Sequence, residues 1–171
     1  MSAPLTQIGP YRVVTTLGHG GMATVYLADA ARHGRQVAIK VMKPGTTAAI
    51  APERFLREIE MVARLTHPHI LPLHDSGSAD GQLYYVMPYI AGGSLRAKLD
   101  RERQLAIDDA VGVARGIASA LGHAHQQGLV HRDIKPENIL LSDGLPLVAD
   151  FGVARTTLRA LAPGAETVAG V

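Results

Sequence analysis

His131-Arg-Asp-Ile-Lys-Pro-Glu-Asn138, followed a few residues on by Asp150-Phe-Gly152, is the stretch on which the fold turns. Between the two lie apolar runs at 139–141 and 147–149 around Ser142-Asp-Gly144, which reads as two short strands closed by a tight turn. Pairing Ile139 with Ala149 about Gly144 sets Asn138 opposite Asp150 at the open end of the hairpin. An amide oxygen and a carboxylate placed together are hard ligands, suited to Mg²⁺ with phosphates completing the octahedron. Asp133 and Lys135 lie on the same loop and offer a proton acceptor and a phosphate contact. A polar turn followed by a chance Asp-Phe-Gly is the competing reading.

Upstream the chain reads as β-rich. Strands are expected over 11–17 and 23–28, flanking Gly18-His-Gly20-Gly21-Met-Ala23, and over 36–42. Glycines there let backbone N–H groups approach a phosphate closely, although most such loops are plain hairpin turns. A dinucleotide-binding unit needs a helix after the glycines and an acidic residue about 20 positions on. Here a strand follows, and the corresponding region carries Val37-Ala-Ile-Lys40, so that reading fails. Strand alternation puts Ala38, Lys40 and Met42 on one face and Val37, Ile39 and Val41 on the other. A lysine inside an apolar strand is either on a solvated face or needs a partner. The helix expected over 53–65 supplies one. Phe55, Ile59, Val62 and Leu65 line one side, Glu53, Arg57, Glu60 and Arg64 the other, and Glu58 falls on the apolar side. A Lys40–Glu58 ion pair removes both anomalies at once.

Two further apolar runs, 70–73 and 83–87, are separated by a turn-rich stretch at 75–81. Residues 91–94 read as a linker and helix start with Ser94 as cap. A long helix is expected over 108–127, capped by Asp108 or Asp109, striped by Val111, Ala114, Ile117, Leu121 and Ala124, and ended by Gly128. The order is therefore a β-rich upper part with one helix, then a helical lower part with a small hairpin, an α+β arrangement.

Composition excludes several alternatives. In 171 residues, 47% are hydrophobic and 19% charged, enough to bury a core and unlike a disordered tail. Lys and Arg number 17 against 15 Asp and Glu, a formal charge of +2, which is not the basic face of a nucleic-acid binder. Aromatics at 4%, with no Trp, weaken a base-stacking role further. Zero Cys excludes disulfides, thiolate metal sites and a Cys nucleophile, and suits a reducing compartment. No apolar run approaches a membrane span, and residues 1–10 lack a signal-peptide pattern, so the expected location of this part is the cytoplasm.

Taken together, the glycine loop, the Val-Ala-Ile-Lys lysine, the helix glutamate, His-Arg-Asp-x-Lys-x-x-Asn and Asp-Phe-Gly occur in the order of a Hanks-type protein kinase. The chain resembles roughly the N-terminal two-thirds of that catalytic domain, from about Tyr11 to its last residue. Lys135, two places after Asp133, resembles the serine/threonine branch, and the wording around Gly18–Ala28 is similar to bacterial members. The resemblance implies a two-lobed kinase fold. It divides the chain into a tail over 1–10, an N-lobe over 11–87, and a hinge with a partial C-lobe over 88–171.

It also implies roles. Backbone at Gly18, Gly20 and Gly21, with Leu17 beside them, would cover the ATP phosphates. Lys40 would bind the α- and β-phosphates and Glu58 would hold Lys40. Asp133 would orient the substrate hydroxyl and take its proton while Lys135 steadies the γ-phosphate, and Asn138 and Asp150 would hold Mg²⁺. Val25, Ala38 and Leu140 would enclose adenine, with Met87 at the back of the pocket and the hinge binding through the Pro88 carbonyl and the Ile90 N–H. Val62, Leu73, His131 and Phe151 match the apolar stack of active kinases. The implied reaction is transfer of the ATP γ-phosphate to Ser or Thr hydroxyls of proteins. A non-catalytic pseudokinase scaffold and a small-molecule kinase are the alternatives, the first disfavoured by the intact lysine and both aspartates.

Two departures stand out. Ala23 takes the place of the third family glycine, and Pro88 replaces a common acid while keeping its carbonyl. Histidines 67, 69, 74, 123 and 125 invite a metal reading, but no carboxylate or thiolate completes a set, so capping or solvated roles are expected. Thr156, Thr157 and Thr167 follow Asp-Phe-Gly. Thr167 is the expected phosphorylated residue, by self-phosphorylation, with Arg132 as docking cation. The family's domain continues past this point into peptide-docking elements and further helices. That predicts an exposed face on the long helix, little activity of these residues alone, and a membrane anchor, if any, outside them.

Overall fold

The computed structural model describes residues 5–30, 34–44 and 52–151. Its upper part is a six-stranded antiparallel sheet. The strands are β1 (Gln7–Ile8), β2 (Tyr11–His19), β3 (Ala23–Ala30), β4 (Arg35–Met42), β5 (Asp75–Ala79) and β6 (Gln82–Pro88), in the spatial order β1-β2-β3-β4-β6-β5. Helix α1 (Pro52–Ala63) follows β4. Below lie α2 (Leu95–Glu102), the 20-residue α3 (Ile107–Gln126), a 3-10 turn (Pro136–Asn138), and the hairpin β7 (Ile139–Ser142) and β8 (Leu145–Val148). Among the described residues, no helix is long and apolar enough to cross a membrane.

The alternation in β4 has the expected consequence. Val37, Ile39 and Val41 pack with Ile8, Tyr84 and Val86 in one core, whereas Ala38 and Met42 belong to the core shared with α1 and the lower part. Lys40 lies between these last two on the inner face, so the strand carries it to the cleft. On α1, Phe55, Glu58, Ile59 and Val62 are buried and Leu65 follows just beyond the helix, while Glu53, Arg57, Glu60 and Arg64 are exposed.

The stretch at 75–81 is more than the expected turn. Residues 75–79 form edge strand β5, and only Asp80 and Gly81, both at positive φ, make the turn into β6. Propensity hid this strand because its residues are small and polar. Its pairing with buried β6 supplies the stability, and Gly77 is required because a Cβ there would stand 2.9 Å from the Tyr84 hydroxyl. Residues 70–73 make a single bridge, Ile70 to Val148, and do not extend into a strand.

Helix α2 begins as expected, with Ser94 Oγ accepting from the Ala97 amide at 3.2 Å. Helix α3 starts at Ile107 after Ala106, which makes no side-chain cap bond; Asp108 and Asp109 lie inside the first turn and act on the helix dipole instead. It ends in a Schellman motif in which the Gly128 amide donates to His125 and the Leu129 amide to Ala124, with Gly128 at φ 74°. The buried stripe of α3 also differs from expectation. Ala124 is buried and Ile117 packs against the core as expected, but Gly116 and Ala120 complete the buried face, while Val111 and Ala114 are exposed. Small residues let the helix lie close to β8, and a Cβ on Gly116 would meet Pro146 Cγ at 2.6 Å. Burial here follows closeness of approach, not side-chain size.

The β7–β8 register is one residue off the expected pairing. Ile139 stands opposite Val148, and Asp143 and Gly144, at φ 50° and 83°, form a two-residue turn of the type that suits strand twist. Asn138 therefore faces Ala149, whose amide donates to the Asn138 carbonyl at 2.9 Å, and Asp150 falls one position further along. Neither hairpin edge is open. Leu71 and His69 bond to Val148 on one side, and Gly93 accepts from Leu141 on the other.

Candidate active site

A cleft of about 800 Å³ lies between the β2–β3 loop and the 133–138 segment. Leu17, Gly18, Gly20, Gly21 and Val25 line it from above with Lys40. Asp133, Lys135, Asn138 and Asp150 line it from below. A Cβ added to Gly18 or Gly21 would meet nothing within 4 Å, so the loop leaves a cradle that larger residues would fill. The loop is closed by the Gly20 amide donating to the Ala23 carbonyl at 2.8 Å, and Met22 accepts from the Lys43 amide at 2.9 Å.

On the floor, one local network orders the reactive groups. Asn138 Nδ2 donates to the Asp133 carbonyl at 2.8 Å and to its Oδ2 at 3.1 Å, and Lys135 Nζ lies 2.9 Å from the same Oδ2. The Asn138 amide oxygen takes no part in these bonds. His131, 1% exposed, holds the loop from behind. Its Nδ1 accepts from the Asp133 amide at 3.3 Å, which makes Nε2 the protonated nitrogen, set 2.9 Å from the Ala149 carbonyl. Burial holds the imidazole pKa below its ordinary value, against the opposing pull of that carbonyl, Asp150 and Asp133. The His131 ring packs on Phe151 with centroids 4.7 Å apart. Val62, Leu73, Met87 and Phe151 line one small neighbouring hollow. The backbone carries strain at Arg132, near the start of this loop, with φ 65°, and at Asp150, just beyond the hairpin, with φ 60°.

The ion pair at Lys40 departs from expectation. Lys40 Nζ meets Asp150 Oδ2 at 2.7 Å, whereas the expected partner was Glu58. Glu58 is buried on α1 as the periodicity implied, but the carboxylate that reaches the lysine comes from the lower part of the molecule. Helical period places a residue on a face and leaves open how closely that face approaches the next strand.

Tyr85 is the residue that sequence reasoning missed. It stands directly opposite Lys40 in the β4–β6 register, 4% exposed, and its hydroxyl donates to Asp150 Oδ1 at 2.6 Å. Burial, and next the Asp150 charge, push its pKa well up, so it remains a donor. The available signal was a tyrosine in an apolar strand that must pair with the lysine-bearing one.

Other expected positions lie away from the lining of this cleft. Ala38 and Met87 are buried partners across β4 and β6, Pro88 pairs with Val37, and Ile90 and Leu140 pack on the core. Gly152, Thr156, Thr157 and Thr167 lie outside the described residues. The histidines form no metal cluster among the described residues; His67 stacks on His123 at 5.3 Å and bonds Ser119 Oγ at 3.0 Å.

The family's sequence profile, described as the protein kinase domain, matches residues 11–169. The chain belongs to the protein kinase domain family. The kinase domain is 44% identical over 152 residues to the serine/threonine-protein kinase PknD of Mycobacterium tuberculosis, covering 88% of this chain and 23% of that protein. It is 45% identical over 154 residues to PknE of the same species, covering 89% and 27%. The chain thus spans about a quarter of the length of these relatives. Among solved structures, the M. tuberculosis PknI kinase domain superposes with TM-score 0.76 at 38% identity, covering 88% of this chain and 62% of that one. Rad53 in complex with AMP-PNP gives 0.77 at 28% identity, covering 84% and 38%.

Proposed function

We propose that these residues form the nucleotide-binding and catalytic half of an enzyme that transfers the γ-phosphoryl group of Mg–ATP to serine or threonine hydroxyls of proteins. The observation that carries the reading is the Asp133–Lys135–Asn138 network facing an open glycine cradle across one cleft, with Lys40 and Asp150 at its back. The named relatives are serine/threonine kinases, and a structural neighbour was solved with an ATP analogue.

The residues fit a divalent cation. Asn138 has its amide oxygen left for a ligand, Asp150 adds a carboxylate, and Mg²⁺ ordinarily takes one or two such groups plus substrate phosphates. When bound, Mg²⁺ supplies charge neutralisation of the phosphates. The glycine amides lie over the phosphates, and Lys40 exchanges Asp150 for the α- and β-phosphates. Asp133 accepts the proton of the acceptor hydroxyl as its oxygen bonds the γ-phosphorus and ADP departs. Lys135, beside Asp133, offsets charge on the transferred group. The domain would thus work mainly by positioning and electrostatics.

The reading extends to self-phosphorylation at Thr167 and to a cytoplasmic site of action, in keeping with the absence of cysteine. The decisive experiment is Asp133→Ala in the intact protein that contains these residues. Phosphoryl transfer to a protein acceptor should fall by about 10²-fold or more while nucleotide binding persists. Transfer at the wild-type rate would refute the assignment.

A further inference from the structure

The carboxylate of Asp150 is held by two donors of different character. Lys40 Nζ lies 2.7 Å from Oδ2, and the Tyr85 hydroxyl lies 2.6 Å from Oδ1. The lysine side chain is 22% exposed at the cleft, where solvent or a phosphate can replace the carboxylate. Tyr85 is only 4% exposed, on a strand paired on both sides, and its ring stands 5.9 Å from the lysine nitrogen. Were Asp150 to turn away, this hydroxyl would be left buried without its acceptor, which is costly. Lys40 is therefore the donor that can leave, and Tyr85 the one that stays.

We infer that Tyr85 is a positioning residue for the cation site, anchoring Asp150 through Oδ1 so that Oδ2, released when Lys40 moves to the nucleotide, is presented to Mg²⁺ beside the Asn138 amide oxygen. This rests on the reading of Asp150 as a cation ligand. Asp150 needs such an anchor because it sits at φ 60°, one residue beyond the last bond of the hairpin, Ala149 to Asn138. Its donors Lys40 and Tyr85 both reach it from the sheet above. Tyr85 touches neither the nucleotide nor the transferred group in this scheme. It acts through Asp150.

The test is calorimetric titration of the intact protein that contains these residues with ADP, once with Mg²⁺ and once with a chelator, in the wild type and in Tyr85→Phe. The ratio of the two affinities reads the coupling between cation and nucleotide. Loss of one charge-assisted bond should lower that ratio about three- to thirtyfold in Tyr85→Phe and raise the Mg²⁺ concentration needed for half-saturation in proportion. Tyr85→Met, which keeps the apolar bulk without the ring, should shift the ratio in the same direction. A fold held by packing alone would move both affinities together and leave the ratio where it was. An unchanged or increased ratio in both variants overturns the positioning role, the increase because it would mean that the hydroxyl restrains Asp150 from the cation. A wild type that binds ADP equally with and without Mg²⁺ overturns the cation-ligand reading itself and the role of Tyr85 with it.

Discussion

Two polar clusters meet in the cleft, and they are assembled differently. Asp133, Lys135 and Asn138 lie within five residues of one another, on a loop that runs straight into a hairpin with both edges bonded. Lys40, Tyr85 and Asp150 come from β4, β6 and the end of that hairpin, with 65 residues between the last two. The first cluster is a property of one stretch of chain. The second exists only when the sheet, α1 and the hairpin are docked. A catalytic loop can thus hold its geometry while the lysine–carboxylate arrangement above it depends on how the two parts approach.

The largest expected effect breaks the second cluster. On the proposed function, Lys40→Met removes the cation that would pass from Asp150 to phosphate, and should lower phosphoryl transfer by the intact protein on the order of 10²-fold or more. Because Met42 and Ala38 already make that face apolar, melting of the chain should change little. A variant that transfers phosphate normally would mean that the cluster is only structural.

A smaller effect tests the support of the first cluster. A Cβ on Gly92 would run into the Leu141 carbonyl oxygen, a backbone atom of β7. Gly92→Ala should destabilise the chain by about 1–3 kcal/mol in urea unfolding, since strand and loop cannot both stay in place. Wild-type stability would show that β7 is not pinned from that side.

The smallest effect is in pH. His131 is buried neutral with its pKa lowered from 6.5, so below that value the unfolded chain binds a proton that the folded chain resists. Stability should therefore fall as pH drops from about 7 to about 5.5, and His131→Phe should flatten part of that slope. Urea midpoints across the range would check it. An equally steep slope in the variant would assign the acid sensitivity to other groups, such as His67, whose pKa burial also lowers.

Much of the site was legible because its residues violate local expectations. A lysine in an apolar strand, a carboxylate on an apolar helix face and glycines between strands each demand an explanation beyond packing. Tyr85 violates nothing, since tyrosine is at home in a strand. Only the register opposite Lys40 reveals its hydroxyl as a donor to Asp150. The hairpin was misread by one residue because apolar composition marks a strand but not its partner, and Asp143-Gly144 at positive φ sets the pairing. In α3 the larger apolar side chains suggested one face, and the close approach of β8 chose the face with glycine and alanine.

Motif order, the α+β character, the inner face of β4 and the polar groups of the lower loop can all be read from the chain's residues alone. Those follow from covalent spacing, strand alternation and helical period, which act over a few residues. The docking of distant segments sets the rest: Lys40 meets Asp150 where Glu58 was expected, Tyr85 bonds the same carboxylate, and small residues of α3 seat the hairpin. Such choices depend on ångström-scale distances between segments far apart in the chain, and a pattern in one segment carries no record of its separation from another.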